Sequence, residues 1–103
     1  MNKLLFTGKS KIHGTGVFAS ANLPRDLWIP IPFTWVDDTI RDAFEGGMSP
    51  RRPFCFLNHA DRPNCEVVNE TVNGMHWLYL LVQRNIKAGN ELTIDYGNEY
   101  WET

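Results

Sequence analysis

The apolar residues of this chain come in short runs, and glycine, proline, asparagine or aspartate separates each run from the next. This spacing is typical of a protein built from many short strands, because strands end at turn-forming residues and seldom exceed about eight residues. We predict strands at residues 3–6, 17–19, 66–71, 76–82 and 91–95, with 76–82 as the most buried strand. The pattern therefore predicts a mostly β domain with little helix.

Turn-forming residues lie between the predicted strands. Asn73-Gly74 is the strongest of these signals, because both residues tolerate the positive φ angles of a two-residue hairpin. Residues 27–31 contain Pro30, so a strand there lies at a sheet edge or is irregular. Further predictions are a tight turn at Gly14-Thr15-Gly16, turns at 22–26 and 86–90, one or two helical turns at 38–45, and an irregular segment around Pro50 and Pro53.

Composition narrows the class of protein. The 103 residues suffice for one small domain, and 43% hydrophobic residues provide a core. A net charge of −2 argues against a nucleic-acid-binding protein, which normally carries a clustered basic surface. No apolar stretch approaches the length that crosses a membrane, and the first ten residues do not resemble a signal peptide. We expect a single soluble, intracellular domain over residues 1–103 that binds neither nucleic acid nor membrane.

The cysteines and histidines do not predict a metal site. Cys55 and Cys65 form no Cys-x-x-Cys pair, and we expect two largely buried, reduced thiols. The three histidines, His13, His59 and His76, are scattered along the chain, and we expect each to be satisfied by a neighbouring polar group. The sequence therefore predicts no bound metal.

Three segments carry candidate chemistry, and each has a purely structural alternative. The two glycines of residues 9–19 allow a ligand to approach the backbone, but they also suit a hairpin turn. Asn58-His59 ends an apolar run, where it presents amides to a heterocycle or forms a turn with His59 bonded to backbone. The aromatic residues after Asp95 form a stacking surface or close the core.

Taken together, the phrases IHGTGVFA, FLNHADRPNC and IKAGNELTIDYG resemble, in order, the three sequence blocks of SET-domain lysine methyltransferases. The resemblance spans nearly the whole chain and implies a SET-type β-clip fold of short strands with a knot-like C-terminal segment. The short length and the ending Tyr-Gly-Asn-Glu-Tyr-Trp are most similar to the minimal virus-encoded SET proteins. That similarity implies a homodimer encoded by a virus and acting in the host cell.

The resemblance also implies an activity and a set of site residues. The activity is transfer of a methyl group from S-adenosylmethionine to a lysine side chain of a protein or peptide, with histones as the usual targets and S-adenosylhomocysteine as the product. Tyr96 is the catalytic tyrosine, and Tyr96 and Tyr100 line the lysine channel. The cofactor-binding residues implied are His13, Gly14, Thr15, Gly16, Asn58, His59 and Trp101.

Several positions depart from the family pattern. Ala60-Asp61 replaces the usual Ser-Cys and is expected to alter loop packing, and Asn90 replaces the first glutamate of the third block. Glu91 and Asp95 are expected to be structural. Because residues 22–53 are short and proline-rich where relatives build one side of the substrate groove, one alternative is a SET-like module that binds peptide or cofactor with little or no turnover. Another alternative is a small β-rich interaction protein without a cofactor.

Overall fold

The computed structural model describes residues 4–35, 48–50 and 52–96, and these residues are mostly β. They contain nine strands and one short 3₁₀ helix, which confirms the predicted fold class. The predicted helical turns at 38–45 and the C-terminal residues 97–103 of the knot-like segment lie outside the described residues. The strands are β1 Leu5–Lys9, β2 Thr15–Ala19, β3 Trp28–Pro30, β4 Phe33–Trp35, β5 Met48–Pro50, β6 Asn58–His59, β7 Cys65–Val72, β8 Met75–Val82 and β9 Glu91–Ile94, and the 3₁₀ helix is Phe54–Phe56.

The strands of the described residues form three sheets. The first has the order β1-β2-β9-β6, with β9 antiparallel to β2 and parallel to β6. The second has the order β3-β8-β7, so the proline-containing strand β3 lies at an edge as predicted. The third pairs β4 with β5. Strand β9 thus lies inside the first sheet, between segments that precede it by more than thirty residues in the chain.

The β7–β8 hairpin follows the local sequence closely. Asn73 and Gly74 form its two-residue loop with φ angles of 51° and 78°, as the Asn-Gly signal predicts. Leu78, Leu80 and Val82 are buried on one face of β8, whereas Trp77 is exposed on the other. This period of two places one face of the sheet on the core.

The hydrophobic core lies between the first two sheets. The prediction that 76–82 is the most buried strand is wrong for its first residues, because the hairpin tip extends beyond the core and leaves His76 and Trp77 exposed. Strand β9 is buried at three of its four residues because neighbouring strands flank it on both sides. The buried hydrophobic residues are Leu5, Val17, Ala19, Leu23, Ile29, Ile31, Phe54, Leu57, Cys65, Leu78, Leu80, Val82, Ile86, Leu92 and Ile94.

Three other predictions need correction. The first strand is Leu5–Lys9 rather than 3–6, since all five of its residues pair with β2. Thr15 and Gly16 belong to β2, so the tight turn closes earlier, where the Ser10 N–H donates to the Gly14 carbonyl at 2.8 Å. Pro50 belongs to β5, where it pairs with Phe33 of β4, so this part of the predicted irregular segment is a strand.

The two cysteines differ in burial. Cys65 is buried as predicted, whereas Cys55 is exposed on the 3₁₀ helix, so the prediction of two buried thiols is wrong for Cys55. Both are free thiols. Burial raises the pKa of the Cys65 thiol to about 12, because desolvation disfavours the thiolate. No helix in the part of the chain that the structure describes is long and apolar enough to span a membrane.

Candidate active site

The loop between β1 and β2 is shaped by Ser10. The Ser10 hydroxyl accepts the backbone N–H groups of Ile12 at 2.9 Å and of His13 at 3.3 Å, a local arrangement that serine favours in turns. Gly14 has a φ angle of 45°, in the left-handed region that suits glycine. The exposed residues His13, Gly14 and Thr15 therefore lie at one end of the first sheet.

The side chain of Asn58 connects this loop to the sheet. Asn58 is buried on β6, and its amide nitrogen lies 3.0 Å from the His13 carbonyl oxygen, 3.3 Å from that of Thr15 and 2.9 Å from Glu91 Oε2. Three acceptors thus share the two amide hydrogens. Asn58 therefore fixes the backbone of the loop predicted to line the cofactor pocket.

Glu91 is the second connection between these segments. Its carboxylate oxygens accept the Ser10 hydroxyl at 2.8 and 2.9 Å, as well as the Asn58 amide. A Cβ atom at Gly16 would collide with this carboxylate and lie 3.0 Å from the Ser10 Cβ. The Gly-x-Gly pattern predicts that a ligand approaches the backbone closely. At Gly16 the group that approaches the backbone is instead the Glu91 side chain.

Asn64 extends the pairing of β9 beyond the short strand β6. Its Oδ1 atom accepts the Thr93 N–H at 2.9 Å, and its Nδ2 atom donates to the Glu91 carbonyl at 2.9 Å. The Asn64 side chain thereby makes the two bonds that a neighbouring strand would make. Its own carbonyl accepts the Gln83 N–H at 2.9 Å, which ties the same loop to the end of β8.

Tyr96 follows the end of β9 and is held by the segment that contains β6. Its hydroxyl donates to the Leu57 carbonyl at 2.7 Å, and its ring is half-buried against the hydrophobic core. Because the hydroxyl hydrogen is used in this bond, the oxygen lone pairs are left to accept a hydrogen bond. A phenolic acceptor next to Asn58-His59 therefore stands at the edge of the first sheet.

His59 lies against Tyr96. The two ring centroids are 5.4 Å apart, and the His59 Nδ1 atom accepts the Tyr96 backbone N–H at 3.1 Å. The expectation that His59 is satisfied by a neighbouring polar group is thus confirmed, and His76 lies 3.1 Å from the Thr71 hydroxyl. Asp61 Oδ1 is 3.3 Å from His59 Nε2, and Asp95 Oδ1 is 3.7 Å from Nδ1.

The structure brings together the predicted site residues His13, Gly14, Thr15, Gly16, Asn58, His59 and Tyr96. Tyr100 and Trp101 lie outside the described residues. Sequence reasoning missed Ser10 and Asn64, and it expected a structural role for Glu91 without its two side-chain partners, Ser10 and Asn58. Asn64 lies inside the second sequence block, which was the available signal.

Within the described residues, no group of three or more histidine, cysteine, aspartate or glutamate side chains could hold a metal ion.

Comparison with protein families identifies the family described as "SET domain". Its model matches residues 33–97, which include β6, β9 and Tyr96. The chain is 31% identical over 117 residues to Histone-lysine N-methyltransferase MEDEA of Arabidopsis thaliana, an alignment that covers 92% of this chain and 17% of that protein. It is 42% identical over 62 residues, or 60% of the chain, to "Histone-lysine N-methyltransferase, H3 lysine-36 specific" of Homo sapiens.

The curated relatives are much longer than this chain, which covers 17% of MEDEA and 2% of the human H3 lysine-36 relative. Among solved structures, the chain is similar to a candidate histone methyltransferase of Plasmodium falciparum. The TM-score is 0.74 at 23% sequence identity, and the alignment covers 98% of this chain and 99% of the other. At this identity the likeness concerns the fold, and it extends over the entire β architecture described above.

Proposed function

Because this chain belongs to the SET-domain family, we propose that it is a protein-lysine N-methyltransferase that uses S-adenosylmethionine and releases S-adenosylhomocysteine. The observation that carries the proposal is the hydrogen-bond network of Ser10, Asn58 and Glu91, which holds three distant segments together beside Tyr96. The network links residues up to 81 positions apart in the chain. Such convergence positions a backbone loop and a phenol at the same end of the first sheet.

The residues present fit the proposed cofactor. The site offers carbonyl, carboxylate and phenolic oxygens, which are suitable partners for a ligand that carries a sulfonium and an ammonium group. A Cβ atom at Gly14 would meet no atom of the described residues within 4 Å, so open space lies over the loop. We propose that the backbone of residues 13–16 and of His59 holds the cofactor, with Trp101 stacked on its adenine. When bound, S-adenosylmethionine supplies an electrophilic methyl group.

Asn58 contributes to this pocket mainly by fixing the loop. Its amide nitrogen already donates to the carbonyls of residues 13 and 15 and to Glu91, so its hydrogens serve the protein rather than a ligand. Preorganised backbone costs less entropy on binding than a loop that must order around its ligand. We therefore propose that Asn58 supports cofactor affinity through the loop conformation.

Tyr96 is the proposed catalytic residue. Its hydroxyl is fixed by donation to the Leu57 carbonyl, so the oxygen lone pairs are oriented before substrate arrives. An acceptor at this position binds an N–H of the neutral lysine amine and aligns the nitrogen for attack on the methyl carbon. A free lysine has a pKa near 10.4, and we propose a channel past Tyr96 and Tyr100 whose apolar walls would favour the neutral form.

The proposed substrate is a lysine in a basic protein, with histones as the first choice because the relatives described above carry that name. The acidic balance of the chain, with a net charge of −2, suits a basic partner. A homodimeric state and an origin among virus-encoded SET proteins remain predictions, as does the extent of a single domain over residues 1–103.

Methyl transfer tests this proposal directly. Purified protein is incubated with radiolabelled S-adenosylmethionine and core histones, and incorporated label is counted. We expect transfer by the wild type and a loss of at least about 100-fold in kcat for Tyr96→Phe, since the fixed hydroxyl acts in the reaction. Affinity for S-adenosylhomocysteine, measured by calorimetry, should change little.

Tyr79→Phe is the matched control. It also removes a tyrosine hydroxyl, but from β8, where the Tyr79 ring contacts Trp28. Equal transfer by wild type and Tyr96→Phe would refute the assignment of Tyr96. Binding of S-adenosylhomocysteine without transfer to any histone or peptide array would instead support a SET-like module that binds without turnover. Absence of binding would support an interaction protein without a cofactor.

A further inference from the structure

The His59 ring connects Tyr96 to an aspartate that departs from the family pattern. Asp61 stands in the place of the usual cysteine, and its Oδ1 atom lies 3.3 Å from His59 Nε2. On the other side of the ring, Nδ1 accepts the Tyr96 N–H at 3.1 Å. The backbone of His59 is fixed by pairing with Ile94, and its side chain is only 18% exposed. The ring is therefore largely enclosed, whereas the Asp61 side chain is fully exposed.

The two contacts specify one tautomer of the ring. A nitrogen that accepts an N–H carries no hydrogen, so the hydrogen of the neutral imidazole resides on Nε2. This Nε2–H faces the Asp61 carboxylate, which accepts from it. Asp61 thereby stabilises the tautomer in which Nδ1 can hold the Tyr96 backbone.

The contact with His59 holds the chain beyond the end of β9. At that end the Ala60 N–H donates to the Ile94 carbonyl at 3.1 Å. Two residues later, the Tyr96 N–H donates to the His59 side chain and the Tyr96 hydroxyl donates to the Leu57 carbonyl. Both bonds join Tyr96 to residues 57–59, and the first is made by a side chain.

We propose that Asp61 and His59 act as positioning residues for Tyr96, with Asp61 selecting the His59 tautomer that holds the Tyr96 backbone at the active site. The inference rests on the proposed function.

The histidine tautomer is measurable without any enzyme assay. Two-dimensional ¹H–¹⁵N NMR of the imidazole distinguishes Nε2–H from Nδ1–H, and backbone spectra report the Tyr96 amide. In the wild type we expect Nε2–H alone for His59. In Asp61→Ala we expect a tautomer mixture, a shifted Tyr96 amide, and a kcat for histone methylation that falls ~2- to 10-fold, as for one lost hydrogen bond.

Asp61→Asn is the conservative rescue, because its carboxamide oxygen still accepts from Nε2–H, and it should restore both tautomer and kcat. Glu70→Ala removes an exposed carboxylate from β7 and should change neither. An unchanged tautomer in Asp61→Ala, or a changed tautomer with unchanged kcat, would overturn the inference. If the wild type transfers no methyl group while the NMR changes occur, the proposed function fails and the link from Asp61 to Tyr96 stands.

Discussion

At the scale of single residues, the site depends on side chains that bond to distant backbone. Asn58 is buried, and its amide contacts two carbonyls more than forty residues earlier in the chain. The sequence block around Asn58 marks it as important, but the pattern cannot show that its hydrogens are directed to the loop. Only the folded chain brings residues 13 and 58 together.

Replacing Asn58 should weaken cofactor binding through the loop. In Asn58→Ala the carbonyls of residues 13 and 15 lose their donor, and Glu91 keeps only Ser10. We expect about 10-fold weaker affinity for S-adenosylhomocysteine by calorimetry, which corresponds to about 1.4 kcal/mol. Asn69→Ala, at an exposed position of β7, is the control and should bind normally. Unchanged affinity in Asn58→Ala would contradict the role given to the loop.

At the scale of elements, the predictable parts of the fold are those that local residues determine. The Asn73-Gly74 loop forms as predicted because its φ angles follow from two adjacent residues. The parallel pairing of β6 with β9 was not predictable, since it joins a two-residue strand to a segment more than thirty residues later. A two-residue strand carries no hydrophobic period for sequence analysis to detect.

Strand β9 should therefore be sensitive to Asn64, whose side chain completes its pairing. Asn64→Ala removes one acceptor and one donor from β9, and we expect a loss of about 2 kcal/mol in the free energy of unfolding by urea titration. Asn64→Asp keeps an acceptor for the Thr93 N–H and should lose less than Asn64→Ala. Equal stability of wild type and Asn64→Ala would show that the side chain does not support the strand.

At the scale of the whole molecule, the buried core determines the stability of a small β domain. One core residue, Cys65, makes that stability depend on pH. Burial raises the pKa of Cys65 from 9.0 to about 12. Between these values the unfolded chain releases its thiol proton and the folded chain keeps it. The contribution of the buried thiol to the free energy of unfolding is therefore complete below pH 9 and decreases as the pH rises towards 12.

The contribution of Cys65 can be isolated with Cys65→Ala. The difference in unfolding free energy between wild type and this variant should shrink by about 2 kcal/mol between pH 9 and pH 10.5, at about 1.4 kcal/mol per unit of pH. Chemical denaturation at both pH values measures it. The same measurement on Cys55→Ala, which removes the exposed cysteine, is the matched control. A constant difference for Cys65→Ala would show that its thiol ionises in the folded state.

The place of β9 inside the first sheet has a consequence for synthesis on the ribosome. Strands β1 and β2 precede β9 by more than seventy residues and β6 precedes it by more than thirty, so the nascent chain carries them without the strand that lies between β2 and β6. The gap exposes backbone edges that attract chaperones or other chains. A peptide that supplies residues 86–96 in trans would fill the same gap and convert an incomplete translation product into a folded one.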